Sequence, residues 1–481
     1  MADLWMRLPC VAAFLLLTAA APAQPAPLPL ENASFEESHA AGDPRPAGWW
    51  PVNPSTVLQS DAATAFEGAR SMRLEHAPPF AGAMQRIDAA PLRGHLVVLR
   101  ARLKGAGIGR GAVGLWLRGS EPDGAITGFA TTYARPLEGD TDWSLREARL
   151  LVTDRTMDLS LGVTLAAPGR LWVDSVELEA HPLDSLPPLG AAAHDYLGAA
   201  LDLLQQNAYF SDRVDWPGLR RQAHAIAAGA ETPEETYPGI DHAIAALGDG
   251  HSHLARPNQV GRMASPKVDP SEPGVTATQL GRIGIIRVPG FRSTHPQRAE
   301  AFASALRDHL ASQAKSGACG WIIDLRDNTG GNMYPMIRGL SGLLGGETLG
   351  WFVHRHEREA WNARQAGVGD RGLQALPGGT TAPVAVLQGP RTASAGEATL
   401  LSFMGRPKTR RFGQPSQGLS TGNQPFPLVD GAALAITTSV MADRSGRAYG
   451  GKIPPDETVE IDEATETTAL RWLRQQPGCA G

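Results

Sequence analysis

A serine at a strand-to-helix junction is the residue of this 481-residue sequence best suited to nucleophilic chemistry. It lies in Gly389-Pro-Arg-Thr-Ala-Ser394-Ala-Gly-Glu397. Residues 383–387, apolar and β-branched, predict a buried strand, and residues 397–404 predict the opening of a helix. Ser394 then falls at a helix N-terminus, where unpaired amides and the positive end of the dipole would stabilise a developing oxyanion. The same residues also suit a plain helix start, with Ser394 as N-cap and Glu397 at the third position of a capping box.

A second stretch, Trp321-Ile-Ile-Asp324-Leu-Arg326-Asp327-Asn328-Thr-Gly330-Gly331, is a short hydrophobic strand that runs into charged residues and a glycine pair. Helical apolar spacing follows over 336–344. Paired glycines let backbone amides approach a reacting carbonyl closely, although a strand–Gly–Gly turn is also an ordinary tight connection.

Taken together, D-L-R-x-N-x-G-G and the later T-A-S-A-G-E resemble the S41 family of serine peptidases, the tail-specific or C-terminal processing peptidases and their tricorn-like relatives. The resemblance spans residues 280–456. It implies a Ser394 nucleophile, with the amides of Ala395 and of the Gly330/Gly331 turn as the oxyanion site. It also implies an α/β core of the ClpP/crotonase-like type. In the tail-specific branch a lysine is the general base, but here the matching position, in Phe412-Gly413-Gln-Pro-Ser-Gln-Gly418-Leu419, holds Leu419, which accepts no proton. Lys408 and Lys452 lie outside that element.

Ala246-Leu-Gly-Asp249-Gly250-His251-Ser252-His253-Leu254 resembles the histidine-bearing element of the tricorn-like branch and places His251 as the base. An imidazole titrating near 6.5 can take a serine proton at neutral pH. No third triad member can be chosen. Where the tricorn-like enzymes carry a glutamate this chain has Tyr449, and Gly250 replaces a serine. Asp249, Glu397 and Asp443 are the carboxylates near motif positions. The His251-x-His253 spacing, with Asp249 and His242 nearby, also suits zinc, but that reading would leave Ser394 without a role; no metal or other cofactor is expected.

The residues that must position this chemistry divide into segments. Residues 1–23 read as a cleaved secretory signal, with one positive charge, an apolar run and a small-x-small site. That predicts a secreted or periplasmic protein. The run is shorter than the about 20 residues of a bilayer span, and no later segment is long and apolar enough to cross. Cleavage leaves Cys319 and Cys479, compatible with one disulfide in an oxidising compartment. A net charge of -5 and a pI near 6.2 give no nucleic-acid footprint.

Residues 25–180 alternate in period two between Gly/Pro turns, as in 71–75, 96–103, 114–118 and 171–178, which predicts an antiparallel β-sandwich. Its two ends resemble carbohydrate-binding jelly rolls. Trp49, Trp50 and Trp116 are equally good sugar platforms and core residues. A proline-rich linker leads to a small helical unit, 188–254, with helices at 191–206, 216–228 and 233–247. A polar connection, 255–276, is too short for the PDZ module of many tail-specific peptidases. Strands then alternate with helices through an α/β catalytic core, 275–478. The expectation is a secreted serine peptidase acting on a polypeptide through Ser394 and His251. The alternatives are a non-catalytic carrier on the same scaffold, or an esterase.

Overall fold

A computed structural model describes residues 26–479 apart from 41, 76–77, 134–136, 269–271, 346, 363–375, 377–378 and 461–462. The proposed signal segment, 1–23, lies outside the described residues. The chain forms two compact units, Met1–Leu189 and Gly190–Gly481.

The first unit contains two sheets whose strand pairings are all antiparallel. One runs in the order Val57–Asp61, Ser71–Glu75, Arg170–Pro182, His95–Ile108, Gly139–Leu151, with Ala26–Pro27 also pairing with Arg170–Pro182. The other runs Trp50–Pro51, Ala81–Asp88, Asp158–Ala166, Ala112–Ser120, Ile126–Thr131. Leu74, Leu99, Leu103 and Val173 of the first sheet and Leu115, Leu117, Leu161 and Val163 of the second are buried in one shared cluster. Burial of that apolar surface, at roughly 25 cal/mol per Å², holds the layers together. Trp49 and Trp116 are buried at 3% and 8% exposure, whereas Trp50 is 56% exposed.

In the second unit three helices come first, Ala191–Asn207, Trp216–Ile226 and Tyr237–Ala246. The short strand His253–Ala255 follows and pairs with Ala433–Ala442. The 255–276 connection is not wholly irregular: Pro257–Ala264 is a helix, begun by a proline in its first turn and by the Gln259 side chain accepting from the Arg256 amide at 2.8 Å. The main sheet runs Thr276–Leu280, Ile283–Arg287, Gly320–Asp324, Val384–Gln388, Thr409–Gly413, Glu457–Thr458; the first pair is antiparallel and the rest are parallel. Helix Pro296–Lys315 makes one crossover. Two clusters flank this sheet, one around Trp321, Ile323, Val386 and Leu401 and the other around Ile322, Leu387, Phe412 and Leu473.

A second, antiparallel sheet is built on Ala433–Ala442, with His253–Ala255 and Thr348–Val353 along one edge, Thr421–Pro427 along the other, and Arg358–Asn362 beyond. Thr421–Pro427 was not legible as a strand, because Pro425 and Pro427 supply no ladder donors; as an edge strand it tolerates both. The helix expected over 336–344 is two, Met333–Gly339 and Ser341–Leu344. The first starts earlier because Asn332 caps it through the Tyr334 amide.

Candidate active site

Strand Val384–Gln388 is buried along its whole length and delivers the chain to the Gly389–Thr392 turn. Thr392 locks that turn, accepting from the Gly389 amide at 3.0 Å and donating to the Leu325 carbonyl at 2.8 Å. The Ala393 amide donates to the Asn328 carbonyl at 3.0 Å, so the serine turn is stitched to the turn after Gly320–Asp324. Ser394 follows with φ 52° and ψ -115°, a left-handed conformation that costs a non-glycine residue about 1–3 kcal/mol. Such strain persists only where the surroundings over-determine it.

Helix Ala395–Phe403 begins at the next residue. Glu397 does part of what a capping box requires, accepting from the Ser394 amide at 2.8 Å. The Ser394 hydroxyl, however, faces a histidine. His251 Nε2 lies 2.9 Å from Ser394 Oγ, and Nδ1 lies 2.6 Å from Thr421 Oγ1. With Nδ1 donating to Thr421, Nε2 is free to accept the serine proton.

The loop carrying His251 is held at several points. Asp249 accepts from the amides of His251 and Ser252 at 2.9 and 2.7 Å and from the Ser252 hydroxyl at 2.6 Å. Asn423 donates its amide to the His251 carbonyl at 2.9 Å, and is itself fixed by the Thr437 hydroxyl at 2.8 Å. Burial holds the His251 imidazole well below its usual range, at about 4; the neighbouring His253 pushes the same way and Asp249 opposes both.

None of the three candidate carboxylates orients this ring. Asp249 folds back on its own loop, Glu397 lies behind the serine amide, and Asp443 accepts from Tyr449 and Ser445. Thr421, a buried hydroxyl, occupies the position instead. Sequence reasoning missed it because the search there was for a carboxylate. Lys452 is exposed and packs its stem over Gly418, Leu419 is apolar, and Lys408 is exposed, so none of them reaches the serine as a base. His242 is paired with Gln222 and His253 is exposed. Among the described residues no group of three or more His, Cys, Asp or Glu side chains could hold a metal ion.

The glycine pair lies against the serine turn. A Cβ built on Gly330 would stand 2.7 Å from Ser394 Cβ and 2.9 Å from the Ala393 carbonyl; one on Gly331 would overlap the Phe291 carbonyl. The Gly330 amide donates to Asn328 Oδ1 at 3.0 Å and so is not available to an oxyanion. The amides of Gly331 and Ala395 have no acceptor among the described residues, which leaves two of the three expected donors. Asn328 itself is fully buried and tied to the carbonyls of Val288 and Pro289. The arrangement offers a hydroxyl nucleophile, a neutral imidazole and two amides without acceptors among the described residues, Ala395 at a helix N-terminus and Gly331 in the facing turn, which are the parts of an acyl-transfer site.

The region that carries Ser394 is similar to known proteins. Residues 282–459 match the family model for peptidase family S41. A nisin-resistance protein from Lactococcus lactis subsp. lactis is 28% identical over 287 residues, covering 58% of this chain and 87% of the relative. A lipoprotein from Streptococcus agalactiae superposes with a TM-score of 0.53 at 26% identity, covering 60% of this chain and 97% of that one. The photosystem II D1 C-terminal processing protease gives a TM-score of 0.41 at 13% identity, over 57% and 96% of the respective chains.

Proposed function

Carrying a peptidase family S41 domain over residues 282–459, the chain is, we propose, a serine peptidase in which His251 activates Ser394 for attack on a peptide carbonyl. The observation that carries this reading is the 2.9 Å separation of His251 Nε2 and Ser394 Oγ beside two amides that have no acceptor among the described residues. His251 takes the hydroxyl proton as Ser394 Oγ bonds to the carbonyl carbon, and the oxyanion is received by the Ala395 and Gly331 amides. The protonated imidazole then hands that proton to the leaving amine, and water releases the acyl group by the same steps in reverse order. Thr421 keeps the ring in the tautomer this needs.

A carrier on the same scaffold has no use for an imidazole within proton-transfer distance of a serine hydroxyl, so catalysis is favoured. Aryl esters share the machinery and are expected to be turned over as well. The Cys319–Cys479 bridge supports maturation in an oxidising compartment, in keeping with a secreted or periplasmic location. We further assign the catalytic region to the ClpP/crotonase-like type and the first unit to the jelly-roll class; of Trp49, Trp50 and Trp116, Trp50 is the exposed one on which a sugar ring could stack. The test is activity profiling of wild type, Ser394→Ala and His251→Ala with a fluorophosphonate probe, a peptide library and an aryl ester. Labelling and cleavage should vanish in the Ser394→Ala variant, and undiminished labelling of it would overturn the assignment.

A further inference from the structure

Glu397 is a fully buried carboxylate that has no cation among its hydrogen-bond partners in the described residues. Its partners are all donors. Oε2 accepts from the Ser394 amide at 2.8 Å, and Oε1 accepts from the Gly418 amide at 3.0 Å and the Ser416 hydroxyl at 2.6 Å. Ser416 Oγ accepts from the Ile453 amide at 2.8 Å, and its own hydrogen is directed to the carboxylate. The Leu419 amide adds to the same pull. The ionised group can accept from all of these donors at once, whereas a protonated carboxyl would bring a hydrogen of its own among them and weaken or lose one of the bonds.

We propose that Glu397 is a positioning residue for the nucleophile, a buried anion that ties the Ser394 amide and the 416–418 loop together so that the serine stays in its strained turn. With the Ser394 amide drawn back to Glu397, the next amide, Ala395, is left for the oxyanion. The inference rests on the hydrolase reading above and extends it, since Glu397 touches neither the imidazole nor the reacting atoms. It also gives the site an acid sensitivity separate from that of the base. Burial raises the Glu397 carboxyl above the usual range against the pull of its donors, so acidification protonates it and loosens the turn. The charged or titrating groups facing this region are His251, across Ser394, and Lys452, whose stem packs on Gly418.

The test is the second-order rate of fluorophosphonate labelling across pH 4–9 for the full-length wild type, Glu397→Gln and Ser416→Ala, with circular dichroism to follow folding. Glu397→Gln should label at least tenfold more slowly at pH 7 while keeping its secondary structure, because the carboxamide presents a donor to donors. Ser416→Ala keeps the carboxylate and removes one donor, so the acid limb of its profile should move to higher pH; this variant decides the matter if Glu397→Gln does not fold. A folded Glu397→Gln that labels at the wild-type rate, or a Ser416→Ala limb that does not move, overturns the proposal and leaves the hydrolase reading standing. A wild type that takes no label overturns both.

Discussion

The imidazole of His251 meets the hydroxyl of Thr421 at 2.6 Å on the side away from Ser394, where a triad would place a carboxylate. A hydroxyl can fix the tautomer and the ring plane but offers no negative charge to the imidazolium. This division between orienting the ring and stabilising its charge makes Thr421 testable by itself. Thr421→Val keeps the shape and strands Nδ1–H, a loss of about 1–3 kcal/mol. That corresponds to roughly 5- to 150-fold in kcat/KM. Thr421→Ser should recover most of it, and equal activity of the valine and serine variants would show that the hydroxyl has no such role.

Burial of His251 has a consequence in pH. A base must be neutral to accept the serine proton, and a pKa lowered to about 4 keeps it neutral throughout the range in which an ordinary histidine, near 6.5, would be charging. Of the thirteen histidines, one should therefore titrate near 4 in an NMR experiment on Ser394→Ala, and its signal should be missing from His251→Ala. His253→Ala removes the neighbouring positive charge and should raise that pKa. The same shift works against the fold in acid. Between the folded value, about 4, and the unfolded value near 6.5, the unfolded chain binds the extra proton, so falling pH through that window removes stability.

Gly330 tests the close approach of the two motif turns. Gly330→Ala places a methyl group at a φ of 93° and against Ser394 Cβ, so both the backbone and the nucleophile must shift. Overpacking of this kind costs about 1–3 kcal/mol. A displacement of the reacting group by about 1 Å costs on the order of a hundredfold in rate. Gly281→Ala, at φ 57° with open space around it, is the matched control: it carries the backbone strain without the clash and should label normally. Equal labelling of the two variants would show that Gly330 does not bear on the nucleophile.

What the sequence disclosed follows from where its information is local. The β-rich first unit was legible in four of its strands because 71–75, 96–103, 114–118 and 171–178 carry strand patterning between turn residues. Val57–Asp61 and Ile126–Thr131 escaped because they are short and half-exposed, with weak alternation. Ser394 was legible because a β-branched run, a turn and a helix start stand next to each other in the chain. Thr421 was not, because nothing around it in sequence marks a hydroxyl that will face an imidazole 170 residues away. Nor did Gly330 announce that its amide was already committed to Asn328, two residues before it. The first gap reflects long-range pairing and the second a side chain competing for a backbone donor.

The disulfide gives the last prediction. Cys319 stands at the amino end of strand Gly320–Asp324 and bonds Cys479, beyond the helix Glu463–Arg474 whose Ala469 and Leu473 pack on the main sheet. The strands adjacent in that part of the sheet are parallel, so the turns that carry Gly330 and Ser394, at their carboxyl ends, lie at the opposite end from the bridge. The two functions should therefore separate. Closing a loop across a sequence separation of 160 restricts the unfolded chain and contributes roughly 2–5 kcal/mol. The double variant Cys319→Ser, Cys479→Ser should melt on the order of 10 °C lower by calorimetry, as wild type should in reductant. At 25 °C it should still label at Ser394 within a few-fold of the wild-type rate, because the bridge holds the C-terminal helix to the sheet and not the nucleophile to its base. Loss of labelling without loss of melting temperature would mean that strain or order passes from the amino ends of these strands to the serine turn, contrary to the separation argued here.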